Sequence, residues 1–289
     1  MKVAVTGANG QLGTDLCRAL HNFDVVSLTH ADIEIADMTS VKKVMLKHKP
    51  AVIINTAGYV RVDDCEDERD KAFSVNALGA RNVAVVAQEL GARLIHLGTD
   101  YVFGGDESHK NNPYTEFDVP APLNTYGRSM LAGEDFVRHL CCRHFIVRTS
   151  GLYGIAGSSG KRGNFVETML KRARERDELR VVDDQVLSPT YTRDLAHKIA
   201  QLILTEYYGI FHITNRGACS WYEFAVEILK QAGLRSPIIP ITSDQFPHKA
   251  RRPHFSVLDN YHLRLLGTDD MRPWQEALKD YLTAKGHIA

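Results

Sequence analysis

Short apolar runs alternate with amphipathic stretches through the first half of the chain. Residues 2–6 (KVAVT) form a valine-rich run closed by Gly7, and Leu12, Leu16, Ala19 and Leu20 then share one face of a helix over 11–21. DVVSLT (24–29) predicts a second strand, and 40–49 a helix that turns Val41, Val44 and Met45 inward. AVIINTAG (51–58) reads as a strand running into a loop, 67–90 as one long helix, and RLIHLGTD (93–100) as a further strand. A helix begins at Tyr126, and HFIVRTS (144–150) is again a strand. Continuous apolar strands separated by helices imply a parallel sheet covered on both faces. With right-handed crossovers this is an α/β fold with a doubly wound parallel sheet of the Rossmann kind.

The rhythm changes after residue 150. GLYGIAGSSGKRGN is a glycine- and serine-rich loop, followed by a helix at 164–176 and a short strand, LRVV. A strand at GIFHIT (209–214), a helix at 221–232 and the proline-punctuated SPIIPITSDQFPHKARRP follow. These pieces predict a dinucleotide-binding domain over 1–150 to which the chain returns around 188–215. A smaller α/β substrate-binding lobe is expected from 151–187 and 216–289. Ligands of such sheets sit at the carboxyl ends of the strands, so a lobe closing over that edge would make a cleft.

Composition narrows the setting. Lys plus Arg and Asp plus Glu are 35 each, so no global charge draws the chain to nucleic acid or to an acidic membrane surface. Five cysteines, with no CxxC pair and no zinc-spaced cluster, argue for reduced thiols, and adjacent Cys141 and Cys142 read as small buried hydrophobes. No metal site is expected. The chain shows neither a secretion signal nor a membrane-length apolar run, so a soluble, cytoplasmic protein is expected.

VAVTGANGQLG places Gly7, Gly10 and Gly13 between the first strand and the first helix. GxxGxxG is weak by itself. In a strand–turn–helix unit it reads as a backbone that turns tightly against a pyrophosphate, which the helix N-terminus stabilises. The bland alternative is a helix-start turn that needs glycine for positive φ. The second strand ends at Ser27-Leu28-Thr29, followed by His30. Neither an acid for ribose hydroxyls nor an arginine for a 2′-phosphate stands there, which favours NADPH with NADH possible. Asp37 and Met38 could meet the adenine, while Asp37 or Ser40 would equally open the next helix as a cap.

LGTDYVFGG sets Thr99 and Asp100 at a strand's carboxyl end. Past a loop holding Pro113, Pro120 and Pro122, Tyr126 begins a helix. A phenol can exchange a proton with a carbonyl/alcohol pair, and the Thr99 hydroxyl could hold the same oxygen.

GANGQLG, NTAG, GTDYVFGG, YGRSMLAGE, RTS with LYG, and GNFVETML resemble the extended short-chain dehydrogenase/reductases. DDQVLSPTYTRDLA, GIFHITNRGACSWYEFA and KARRPHFSVLD follow in the order seen in the dTDP-4-dehydrorhamnose reductases, so the likeness spans the chain. That family reduces a C4 ketone with NAD(P)H to give dTDP-rhamnose for cell-surface polysaccharide. The resemblance implies Tyr126 as proton donor and Thr99 and Asp100 at the substrate. It implies Gln11 and Leu12 with the glycine loop at the pyrophosphate, Asp37-Met38 at the adenine, and Ala57-Gly58-Tyr59 lining the nucleotide. Arg251-Arg252 would neutralise a diphosphate-sugar, the alternative being a solvated basic patch. A homodimer is a family-level expectation.

Three positions depart from the pattern. The family motif is Tyr-x-x-x-Lys, and here the fourth residue after Tyr126 is Met130. Gly151 stands where a sugar-stacking tryptophan is common, and Val60 where threonine is usual. The family lysine lowers the tyrosine pKa and holds the nicotinamide ribose. Without it a phenol near its reference value of about 10 is expected. Reduction needs the neutral phenol and oxidation the tyrosinate, so oxidation should suffer more. Loosened hydride geometry can cost about 100-fold. Arg128, two residues on, points elsewhere, whereas Lys161 is a possible substitute. A pocket without the tryptophan needs closure by Tyr153 or Trp221. Three readings stand: a working reductase with a modified site, a cofactor-binding regulatory relative like the methionine adenosyltransferase regulatory subunit, and a substituted form of an ordinary reductase.

Overall fold

A computed structural model describes residues 1–106, 112–157, 163–175, 178–246 and 248–288. Strands β1 (Lys2–Thr6), β2 (Asp24–Leu28), β3 (Val52–Asn55), β4 (Arg93–Leu97) and β5 (His144–Arg148) join the Gly209–His212 strand in one parallel sheet. The order is β2-β1-β3-β4-β5-(209–212). Succession reverses between β1 and β3, so the ligand-binding crevice of a doubly wound sheet opens beyond their carboxyl ends.

Side-chain alternation divides the core. Val3, Val5, Val52, Ile54, Ile95, Phe145 and Val147 face one side, where helix α1 (Gln11–Ala19) and the Thr192–Leu202 helix pack. Ala4, Ile53, Leu94 and Ile146 face the other, covered by α2 (Met38–His48) and the Ala80–Leu90 and Thr125–Leu140 helices. Val41 and Met45 are buried there as their spacing predicts, with Val44 partly buried beside them.

The single helix expected over 67–90 is broken. Helical turns at Asp64–Asp67 and Arg69–Phe73 flank Glu68, whose φ of −100° and ψ of 49° leave the helical region. Ser74–Gly79 then widens to a π-helical turn before Ala80–Leu90 resumes α geometry. Such turns often mark functional sites, and this one carries Asn76, which is engaged at the cleft.

A third cluster lies apart from the sheet. Tyr153, Val166, Leu170, Val181, Tyr191, Phe224, Ile228, Trp274, Leu278 and Tyr281 close it, contributed largely by the Phe165–Glu175, Trp221–Gln231 and Trp274–Ala284 helices. Leu263 and Met271, although late in the chain, pack into the first cluster. Helix α1 bridges the two regions. Gln11 Oε1 accepts from the Gly154 N–H at 3.0 Å, and the buried Asp15 accepts from the Thr192 hydroxyl at 2.5 Å. No helix among the described residues is long and apolar enough to cross a membrane.

Candidate active site

The β1–α1 turn needs its glycines for space. Gly7 has φ of 68°, and a Cβ there would lie 2.7 Å from Thr56 Oγ1 at the end of β3. A Cβ on Gly13 would meet the Gly7 carbonyl at 2.2 Å. Gly10 donates its N–H to that carbonyl at 2.9 Å, closing the turn. Helix α1 then starts with no side-chain cap and no acid in its first turn. The N–H groups of Gln11, Leu12 and Gly13, at the helix start, have no intrahelical acceptor. Leu12 itself is buried in the first cluster, so it can meet a ligand only through its backbone. A cradle closed to any Cβ, with donors at a helix N-terminus, fits the pyrophosphate of a nicotinamide dinucleotide.

At the end of β2 the Thr29 N–H and hydroxyl both donate to Asp32 Oδ2, at 2.8 and 2.7 Å, and hold its carboxyl below the usual range. An acid thus stands three residues past the strand end, folded back on Thr29, in a turn that the sequence reading passed over. Asp37 caps α2, accepting from the Thr39 N–H at 2.9 Å, and Met38 packs partly buried on the second cluster. Ala57 packs on that cluster too. Beside it, the Asn76 amide grips both backbone groups of Tyr59: Oδ1 accepts from its N–H at 2.7 Å and Nδ2 donates to its carbonyl at 3.1 Å. Gly58 lies between these two, and Val60 follows exposed.

Tyr126 is positioned by its helix start. Asn124 caps the helix through the Gly127 N–H at 2.8 Å, and Glu66 receives the Thr125 N–H and hydroxyl, each at 2.9 Å. A Cβ on Gly127 would strike the Tyr101 carbonyl at 2.2 Å, and one on Gly133 the Asn76 carbonyl at 2.3 Å, so the helix seats close at both points. Ser129 links it to the π-helical turn, accepting from Asn76 Nδ2 at 3.0 Å. Tyr126 is 9% exposed, and burial pushes its phenol well above the ordinary range; the neighbouring Thr99 hydroxyl pulls it down and Asp100 pushes it up. The reference value expected from the sequence is thus displaced upward.

Met130 shares the face of Tyr126 and packs with it, Cys65 and Ala72 in a small apolar cluster edged by Tyr59, Val62 and Tyr101. Arg128 is exposed. Lys161 lies outside the described residues. Lys71 stands 4.7 Å from the Tyr59 ring centroid, bound by Glu68 at 2.6 Å.

Asp100 is a buried junction. Its Oδ2 accepts from Ser150 at 2.8 Å and from Ser256 at 2.7 Å, and its Oδ1 from Thr99 at 3.2 Å. Burial raises its pKa to about 6 against those hydrogen bonds. Gly151 has φ of 55°, a backbone that strains any side chain, and a Cβ would lie 2.7 Å from Leu187 Cδ1 and 3.2 Å from Pro189 Cα, so a tryptophan here is strained. Tyr153 does not close the space left: it is buried and stacked on Tyr191 at 5.6 Å, because the third core claims it. Trp221 packs against Phe165 at 4.5 Å. Arg252 donates Nη2 to Asp63 at 2.8 Å and Nη1 to the Tyr101 hydroxyl at 3.4 Å, whose ring stands edge-on to Tyr126 at 5.8 Å. Arg251 is exposed. No cluster of three or more metal-ligating side chains occurs among the described residues.

Comparison with known proteins agrees along the whole length. A family model described as the RmlD substrate binding domain matches residues 1–286. The spore coat polysaccharide biosynthesis protein SpsK of Bacillus subtilis (strain 168) is 43% identical over 283 residues, 97% of this chain and 96% of that protein. The dTDP-4-keto-6-deoxy-D-glucose reductase of Streptomyces niveus is 38% identical over 278 residues, covering 95% of this chain and 94% of its own. A crystal structure of dTDP-4-dehydrorhamnose reductase from Bacillus anthracis in complex with NADP superposes with a TM-score of 0.92 at 43% identity, over 98% of this chain and 99% of that one. The chain belongs to the RmlD substrate binding domain family, among the dTDP-4-dehydrorhamnose reductases of the extended short-chain dehydrogenase/reductases.

Proposed function

We propose that the protein reduces the C4 ketone of a nucleotide-linked 4-keto-6-deoxy sugar, dTDP-4-dehydrorhamnose to dTDP-rhamnose, for surface polysaccharide synthesis in the cytoplasm. One observation carries the reading: a buried, neutral phenol at Tyr126 stands beside the Thr99 hydroxyl, at the carboxyl edge of the sheet that also holds the glycine cradle. NADPH, with NADH tolerated, supplies the hydride to the carbonyl carbon. Tyr126 donates the proton to the carbonyl oxygen, and Thr99 steadies that oxygen. The tyrosinate left behind regains a proton from water. Gly7, Gly10, Gln11, Leu12 and Gly13 hold the pyrophosphate through backbone N–H groups, Asp37 and Met38 flank the adenine, and Ala57-Gly58-Tyr59 line the nucleotide. Asp100 shapes the substrate side by fixing Thr99, Ser150 and Ser256. Gly151 leaves the sugar space open, and Arg252 faces the diphosphate.

The test is loss of NADPH absorbance with dTDP-4-dehydrorhamnose. Turnover is expected in the wild type, with a fall of at least about 100-fold in Tyr126→Phe. A wild type that binds NADPH but turns nothing over, with Met130→Lys equally silent, selects the regulatory reading, which the apolar packing of Met130 favours.

A further inference from the structure

Asn124 does more than cap the catalytic helix. It is 2% exposed and spends both ends of its amide. While Oδ1 accepts from Gly127, Nδ2 donates to the Arg251 carbonyl at 2.7 Å. A cap requires only the acceptor, which Ser or Asp would supply. The donor fastens the helix start to a segment 127 positions away in sequence.

That segment, 248–252, is a cationic strap: His248, Lys249, Ala250, Arg251 and Arg252. Asp63 gathers it, accepting from Arg252 Nη2 at 2.8 Å and the Ala250 N–H at 3.1 Å, with His248 Nδ1 at 3.6 Å. Lys249 pairs with Asp67. Two donors are left over. Arg252 Nε is buried with no acceptor among the described residues, and Arg251 is exposed with no acidic partner among them.

We propose that Asn124 is a positioning residue that couples anion binding on the 248–252 strap to the placement of Tyr126. A nucleoside diphosphate taken up by Arg251 and Arg252 sets the strap, the Arg251 carbonyl sets Asn124, and Tyr126 lies two residues on. Binding energy from the unreactive end of the substrate is thereby used at the reacting end. This rests on the nucleotide-sugar reading above.

Asn124→Asp keeps the cap and the size but turns an oxygen toward the Arg251 carbonyl, and Asn124→Ser keeps the cap and is too short to reach it. Both should retain the NADPH affinity of the wild type, with a thermal midpoint lowered only by the loss of one buried hydrogen bond. Both should lose about 10- to 100-fold in kcat on the nucleotide sugar, with KM altered less than about threefold. Thymidine diphosphate added to a 4-keto sugar that lacks the nucleotide should speed reduction by the wild type, and do so at least about tenfold less in both variants. A raised KM with kcat preserved, or equal activation by the diphosphate in variants and wild type, overturns the coupling. A wild type inert toward the nucleotide sugar instead overturns the reductase reading on which it stands.

Discussion

Met130 sets a thioether one helical turn from Tyr126, where the family resemblance leads one to expect an ammonium, and its neighbours Cys65 and Ala72 give it an apolar seat. Burial there outweighs the Thr99 hydroxyl, the neighbour that favours a tyrosinate, so the phenol stays protonated at neutral pH. In Met130→Lys the new charge should pull the Tyr126 pKa down by about 1–3 units and raise reductive kcat by about 10- to 100-fold through better-held geometry. The sign of the pH effect follows. Reduction uses the protonated phenol, so kcat is kept below the pKa and lost as pH rises through it. Above the range where Asp100 titrates, the wild type should be flat in kcat from about pH 7 to about 9, and the variant should fall earlier on the alkaline side. A wild-type limb already present near pH 8 would show that burial does not hold the phenol up.

At the level of elements, the strands and most helices were legible because buried parallel strands are continuous apolar runs and their helices keep one apolar face. The break at Glu68 and the π-helical turn were not, since residues 67–90 have helical spacing throughout. What widens the helix is Asn76, turned inward to Tyr59 and Ser129, and partners 17 and 53 positions away leave no local trace. Neither the Asn124 cap nor its second bond, to a carbonyl 127 positions away, was read from the sequence. Gly151 shows the same limit. Its identity suggested a missing aromatic ring, whereas its φ of 55° and the nearby Leu187 make it a backbone requirement. Gly151→Trp should therefore cost about 1–3 kcal/mol of stability and leave dTDP-rhamnose affinity no tighter, measured by denaturation and binding titration. A tighter complex at unchanged stability would refute this.

Across the whole molecule, Asp100 ties the end of β4 to Ser150 after β5 and to Ser256 near the C-terminal end. Its folded pKa of about 6 lies above the unfolded value of about 4. The native state thus binds the proton more tightly, and this contribution is full below pH 4 and lost as pH rises through 6. Relative to Asp100→Asn, which does not titrate, the wild type should lose on the order of 3 kcal/mol between pH 4 and pH 7. Urea midpoints of both proteins at the two pH values check it, and a difference that moves the other way sinks it. The glycine cradle, Thr99 and Tyr126 could be located from sequence because each sits at a strand end or helix start. The clamp of Gln11 on Gly154 and of Asp15 on Thr192 spans 143 and 177 positions and could not.

The sealed phenol has a last consequence, set by thermodynamics. At fixed pH the ratio of forward to reverse kcat/KM equals the equilibrium constant of the reaction, which no side chain can alter. Whatever Met130, Cys65 and Ala72 do to Tyr126, they must scale both specificity constants by one factor. An imbalance between reduction and oxidation can surface only at saturation, in how tightly each product is kept. The direction of flux then belongs to the ratios of reduced to oxidised cofactor and of ketone to alcohol around the protein, and the apolar seat of Met130 governs only how fast those ratios are obeyed.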